Sequence, residues 1–309
     1  MTDESPNSRS LSKNERREAA REKARLLREV QKKKDRRAKF LVQGGIIVVS
    51  LGIIAAVTLV ILNGIRPAAP GPLNMLSDGI KIGEDFEAIT TTALQPGRDP
   101  LPNERDPASE IIDIKIFVDY MCPICGAFEA ENGDQIATLV ESGAATIEIH
   151  PVAILDRFSV GTEYSTRAAN AAACVANSSP DSFYDYNAAL FEDQPEENTE
   201  GLSNEELFDR AVSVGVTDRN DIEECIDEGR FEDWVGDATG RARNGPIPFS
   251  NVEEFKGTPT IIVNGQQYNF SLPFGEDEFA SFIIQATGTT LNDVSTPTAT
   301  PTPEPTSTG

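Results

Sequence analysis

A single histidine, His150, serves a chain of 309 residues, and cysteine is nearly as scarce, with four. One histidine excludes histidine-rich metal centres and leaves little for a serine–histidine–aspartate hydrolase. Four cysteines allow two disulfides or one four-ligand zinc site. Basic side chains are unevenly placed. Residues 1–39 hold 14 Lys and Arg against 7 Asp and Glu, and the rest of the chain holds 13 against 43. That acidic bulk cannot neutralise phosphates, so no nucleic-acid partner is expected.

Charge of either sign is absent from Phe40 to Leu62, a run of 23 residues. As a helix rising about 1.5 Å per residue, this run spans a bilayer core of about 30 Å. It has no polar face to suit a soluble helix. A cleaved signal peptide is disfavoured by the 39 residues ahead of the run and by its length. Residues 40–62 therefore read as a transmembrane signal anchor in the lipid bilayer. Residues 1–39, with a helix-forming composition, read as a basic cytoplasmic tail, which puts everything after the anchor outside the cell membrane. That side is oxidising and permits disulfide chemistry. Residues 63–74, rich in proline and glycine, read as linker, and residues 289–309 as a disordered Thr/Pro-rich tail.

An α/β pattern lies between these ends. Ile112, Ile114, Ile116 and Val118 alternate, which predicts a strand over 111–118 with one strongly buried face. A helix is predicted over 127–140 and a second strand over 145–152, a strand–helix–strand unit that favours a parallel pair. Residues 79–83 read as a short strand in an N-terminal hairpin. A helical insertion follows over about 156–254, with helices predicted over 164–176, 182–191, 204–214 and 219–235. The frame resumes with a strand at Thr258–Asn264, a hairpin return over 266–269 and a closing helix over 276–286.

Cys122-Pro123-Ile124-Cys125 stands between the first long strand and its helix. A thiol at a helix N-terminus meets unpaired N–H groups and the positive end of the helix dipole, and both favour thiolate. Pro123 suits the first helical position, where an N–H is not needed. Cys122 thus reads as the attacking, exposed sulfur and Cys125 as the resolving one, together a redox disulfide. Ile124 between them offers no positive donor, which predicts a less extreme thiolate than the strongest oxidants have. Zinc would need Cys174 and Cys225 as further ligands, but they lie 51 residues apart without the paired spacing of common zinc sites. Cys225 shares a helical stripe with Ile222 and Ile226, and Cys174 neighbours an alanine face, so a structural disulfide between them is predicted. His150 reads as a structural strand-end residue. No cofactor or metal is expected.

With Gly257-Thr258-Pro259-Thr260 opening a late strand, the chain resembles the thioredoxin superfamily, and within it the DsbA-like thiol–disulfide oxidoreductases. The resemblance covers residues 75–288, and the layout is similar to membrane-anchored extracytoplasmic members from actinobacteria. It implies a thioredoxin-like α/β fold with a helical insertion. It also implies that Pro259 is cis beside the sulfurs and that the Thr258 backbone pairs with an extended substrate segment. Many members carry a buried acid six positions before the first cysteine, where this chain has Ile116; Asp119 is left an auxiliary role. The implied function is a disulfide oxidase that donates the Cys122–Cys125 disulfide to exported proteins with cysteine thiols. A quinone-linked membrane partner of the DsbB or vitamin K epoxide reductase type would reoxidise it. The alternatives are a reductase or isomerase of exported proteins, and a non-catalytic surface binding protein.

Overall fold

The computed structural model describes residues 17–18, 21–36, 50, 52–53, 69–275 and 277–294. The chain divides into two units, Met1–Ala68 and Ala69–Gly309. In the first, residues 21–36 are helical and exposed throughout. The expected anchor over 40–62 lies outside the described residues except for Ser50, Gly52 and Ile53, and the tail from 295 onward lies outside them altogether. Among the described residues no helix is long and apolar enough to cross a membrane.

The second unit is built on five strands: β1 (Ile80–Ile82), β2 (Ile112–Val118), β3 (Ala145–Pro151), β4 (Thr260–Val263) and β5 (Gln266–Gln267). They lie in the order β1-β3-β2-β4-β5. β2 and β3 are parallel, with Ile114 opposite Ile147 and Ile116 opposite Ile149, while β4 runs antiparallel to β2. The short strand expected at 79–83 is β1, and it has a long-range partner besides its local hairpin. β1 pairs antiparallel with β3, Ile80 against Ile149 and Ile82 against Ile147, because both isoleucines are fully buried there. A short local hairpin is present as well: Ile82 bridges Ala88, the Ile89 N–H donates to the Lys81 carbonyl at 2.8 Å and the Gly83 N–H to the Glu87 carbonyl at 2.9 Å.

β2 is the central strand, and both of its faces are buried, not one. Ile114, Ile116 and Val118 join the main core. Phe117 packs on the opposite face with Val152, Ala242, Ile247, Val252, Phe255 and Ile262. Lys115 is buried on that second face because Glu148, with no exposure, stands 3.4 Å from its ammonium group. Burial pushes the Glu148 carboxyl up, but His150 and Lys115 beside it and the Ser77 hydroxyl outweigh this and hold it below the usual carboxylate range. A carboxylate on the neighbouring strand lets this charged residue occupy a buried face.

The helices of this unit are α1 (Pro123–Glu141), α2 (Tyr164–Ser178), α3 (Phe183–Phe191), α4 (Asn204–Ser213), α5 (Arg219–Asp227), α6 (Glu232–Asn244) and α7 (Glu278–Val294). α1 lays Phe128, Ile136 and Val140 on the main core and ends at Gly143, whose φ of +72° glycine adopts readily. The single helix expected over 219–235 is two. Gly229 at φ +60° breaks it, with its N–H donated to the Ile226 carbonyl. α2 is buried on nearly every side, and its alanines let neighbouring helices approach closely.

Cys174 of α2 and Cys225 of α5 are joined by a disulfide with Cα atoms 5.9 Å apart, and Cys225 is buried between Ile222 and Ile226. This closes a 51-residue separation. Replacing both with alanine is expected to cost about 2–5 kcal/mol and to lower the melting temperature by on the order of 10 °C. Calorimetry of the double variant checks this; an unchanged melting temperature would mean the bridge carries none of the fold's stability.

Candidate active site

β2 delivers the chain to a tight turn, Asp119-Tyr120-Met121, and then to α1. Asp119 is fully buried and organises this turn. Its Oδ1 accepts the Met121 N–H at 2.9 Å and the Ser165 hydroxyl at 2.7 Å. Its Oδ2 accepts the N–H groups of Ile154 at 2.8 Å and Leu155 at 3.0 Å. Burial pushes its carboxyl up, and these four donors work against that shift. A residue assigned an auxiliary role therefore ties together the turn, the exit of β3 and the start of α2. Tyr120, fully buried, donates its hydroxyl to Asn187 Oδ1 at 3.1 Å.

Cys122 occupies the N-cap of α1 with extended φ and ψ of −77° and 114°, and Pro123 follows in the first turn. Among the described residues no side chain caps this helix. Its first N–H groups are therefore available to the Cys122 sulfur. The neighbouring Cys125 thiol is the strongest influence and lowers the Cys122 pKa; burial opposes it; the Thr258 hydroxyl and the N–H groups of Cys125 and Ile124 lower it further, to about 7. Cys125 goes the other way. Burial pushes its thiol well up, and the hydrogen bond and charge of Cys122 add to that. Both cysteines are free thiols.

Cys122 was expected to be the exposed sulfur, and this is corrected. It is 4% exposed and Cys125 2%. The two differ in electrostatics far more than in exposure. What covers Cys122 is the loop before β4, where its thiol donates to the Thr258 carbonyl at 3.3 Å. The Thr258–Pro259 peptide bond is cis, Gly257 has φ +144°, and Pro259 is buried. The structure thus brings together Cys122, Cys125, Thr258 and Pro259 from segments 136 residues apart.

Two contributors escaped sequence reasoning. Gln194, in the loop after α3, donates its amide Nε2 to the carbonyls of Tyr120 and Cys122, each at 2.9 Å. Glu129, one turn along α1 from Cys125, lines with it a small cavity of about 10 Å³, near the size of one water. Among the described residues Glu129 is the one carboxyl on that cavity, and burial pushes it up to about 7. Ile116 borders the same space from the strand side. No signal in the sequence marks either residue, since each acts through a contact distant in the chain or through burial.

His150 lies elsewhere. Its ring stacks on Phe117 with centroids 4.3 Å apart, and its Nε2 is 3.3 Å from Glu148. It borders a cavity of about 120 Å³ between the second face of the sheet and α6, which none of the four assembled site residues lines. Cys174 and Cys225, bonded to each other, are not open to a metal. Among the described residues no cluster of three metal-ligating side chains occurs.

A family model described as thioredoxin matches residues 108–283. The chain belongs to the thioredoxin family. The reduced form of the disulfide bond oxidoreductase DsbG from Mycobacterium tuberculosis is similar in structure, at a TM-score of 0.50 and 30% identity over 68% of this chain and 88% of that one. Reduced DsbA from the same organism gives a TM-score of 0.50 and 26% identity over 71% of this chain and all of that one. The serine/threonine-protein kinase PknE of M. tuberculosis is 30% identical over 164 residues, 52% of this chain. The chain spans only 28% of that kinase's length.

An asymmetric pair of this kind makes a distinct prediction. In the reduced protein only Cys122 should react quickly with iodoacetamide. The rate should rise about tenfold per pH unit below a midpoint near pH 7 and level off above it. Mass spectrometry should find Cys125 unmodified at neutral pH. A midpoint near about 8.5, the value of a free cysteine, would contradict the geometry.

Proposed function

We propose that this thioredoxin-family chain is a membrane-anchored, extracytoplasmic thiol–disulfide oxidoreductase acting on exported proteins, with oxidation as its leading direction. The observation that carries the chemistry is the opposed pair: Cys122 lowered to about 7, and Cys125 pushed up beside it. Attack by a substrate thiolate on Cys122 of the oxidised pair breaks the disulfide, and Cys125 leaves with its electron pair. A proton must reach Cys125 in that step, and Glu129 is placed on the shared cavity to supply it. A second substrate thiolate then attacks the substrate sulfur of the mixed disulfide and expels Cys122 as thiolate, a good leaving group because its pKa is low. Substrate leaves oxidised and the enzyme reduced, so a reoxidant is required.

The charge-free run over 40–62 beside a basic segment supports the anchored, extracytoplasmic reading. The Cys174–Cys225 disulfide supports an oxidising compartment. In that setting the reoxidant is a quinone-linked membrane protein of the DsbB or vitamin K epoxide reductase type. The Thr258 carbonyl, held by the Cys122 thiol at rest, is the acceptor that an extended substrate segment would take over.

One observation favours a second reading, reduction or isomerisation. A depressed thiol pKa stabilises the folded reduced form above the unfolded pKa, and the gain is lost as pH falls through the folded value. With Cys122 at about 7 against roughly 8.5 unfolded, the gain at pH 7 is only about 0.4 kcal/mol. A reduced form so little favoured makes a mild oxidant, in line with the apolar Ile124 between the cysteines. The reduction potential separates the readings. A value nearer about −120 mV supports oxidation, and one near about −270 mV removes it in favour of reduction.

A further inference from the structure

Glycine is a poor helix former, yet Gly126 sits inside the first turn of α1 directly after Cys125. Its backbone is not among the positive-φ glycines, so conformation does not demand it. Space does. A Cβ at this position would stand 2.3 Å from Gln194 Oε1 and 3.2 Å from its Cδ. The missing side chain is what leaves room for the Gln194 amide beside the helix, where Nε2 reaches the Tyr120 and Cys122 carbonyls at 2.9 Å each.

We propose that Gln194 is a positioning residue for thiol–disulfide exchange, its amide fixing the main chain at Cys122, and that Gly126 is the gap in the helix that admits it. The Cys122 carbonyl already accepts the first helical bond, from the Gly126 N–H at 3.2 Å. Gln194 gives it a second donor from outside the helix and bridges it to the carbonyl two residues earlier. The rotation of that carbonyl sets how Sγ lies relative to the N–H groups of Ile124 and Cys125, since Pro123 adds no donor of its own. A held carbonyl keeps the sulfur against those N–H groups and against Thr258. The amide hydrogens also bring partial positive charge to a site where negative charge develops.

The neighbouring anchors do not duplicate this. Ser165 holds Asp119 and Asn187 holds the Tyr120 ring, but neither touches the cysteine. During exchange Cys122 is pulled outward by its bond to a substrate sulfur. Gln194 resists that pull and keeps Cys125 in line for its attack.

The proposal rests on Cys122 being the attacking thiol, and the test separates the two. In the full reduced chain, thiolate absorbance is followed against pH, and the rate of reaction with a small aromatic disulfide is measured. The proteins are wild type, Gln194→Ala, Gln194→Glu, Gly126→Ala and the double variant Gln194→Ala/Gly126→Ala. Gln194→Ala should raise the Cys122 midpoint and slow exchange roughly threefold to tenfold, the size expected from losing its hydrogen bond to the Cys122 carbonyl. Gln194→Glu keeps the size but lacks the donors, and should fall with it. Gly126→Ala should do the same by displacing the amide, and the double variant should be no worse than either single change. Wild-type midpoint and rate in Gln194→Ala would overturn the proposal, as would additive effects of the two changes. A wild-type chain with no thiol titrating near pH 7 and no exchange would instead remove the exchange reading itself, and this proposal with it.

Discussion

The first turn of α1 presents main-chain N–H groups that no helical carbonyl can accept and that no side chain among the described residues caps. Cys122 stands at that end, on the N-cap, and Cys125 stands one turn inside the core. The same helix start therefore does two opposite things. It offers hydrogen-bond donors that outweigh burial at one sulfur, and at the other burial wins. Thiolate is favoured at Cys122 and opposed at Cys125, and that opposition gives exchange its order: one sulfur meets the substrate, the other resolves it. The constraint is set by where β2 stops, because the turn after Val118 decides which residue becomes the N-cap.

The helical insertion exists, in this light, as a frame around that turn. Each turn residue with a polar handle is held from the insertion. Ser165 of α2 reaches Asp119, Asn187 of α3 reaches the Tyr120 hydroxyl, and Gln194 of the next loop reaches the Tyr120 and Cys122 carbonyls. The Cys174–Cys225 bridge then ties α2 to α5, so one of the helices that grips the turn is itself cross-linked. The loop carrying Thr258 and Pro259 closes the other side. A short redox motif thus depends on packing spread over more than 130 residues.

Much of this was legible in the sequence, where local chemistry is the signal. The alternation of Ile112 to Val118, the proline after Cys122 and the glycine at 143 mark strand, helix start and helix end without reference to anything distant. The spacing of Ile222, Cys225 and Ile226 put Cys225 on a buried stripe. What was not legible depends on partners that the chain brings from afar. The burial of Lys115 carries no local mark because its partner, Glu148, belongs to another strand. The strand at Ile80 and Ile82 carries no mark of its long-range partner, β3. The break at Gly229 was read through because the residues either side keep helical spacing. Asp119 carries no mark of its four donors, which come from the turn, from α2 and from the loop after β3. Gln194 and Glu129 carry no motif at all; their importance arises from contact and burial.

The central claim is that Cys122 attacks and Cys125 resolves, and its most direct test is capture of the intermediate between those steps. A full-length Cys125→Ser variant, expressed with its native exported proteins, is separated without reductant and then with it. The account predicts covalent complexes through Cys122 that reductant releases, and none when Cys122→Ser is added. Absence of such complexes, or complexes that persist in Cys122→Ser, would contradict it.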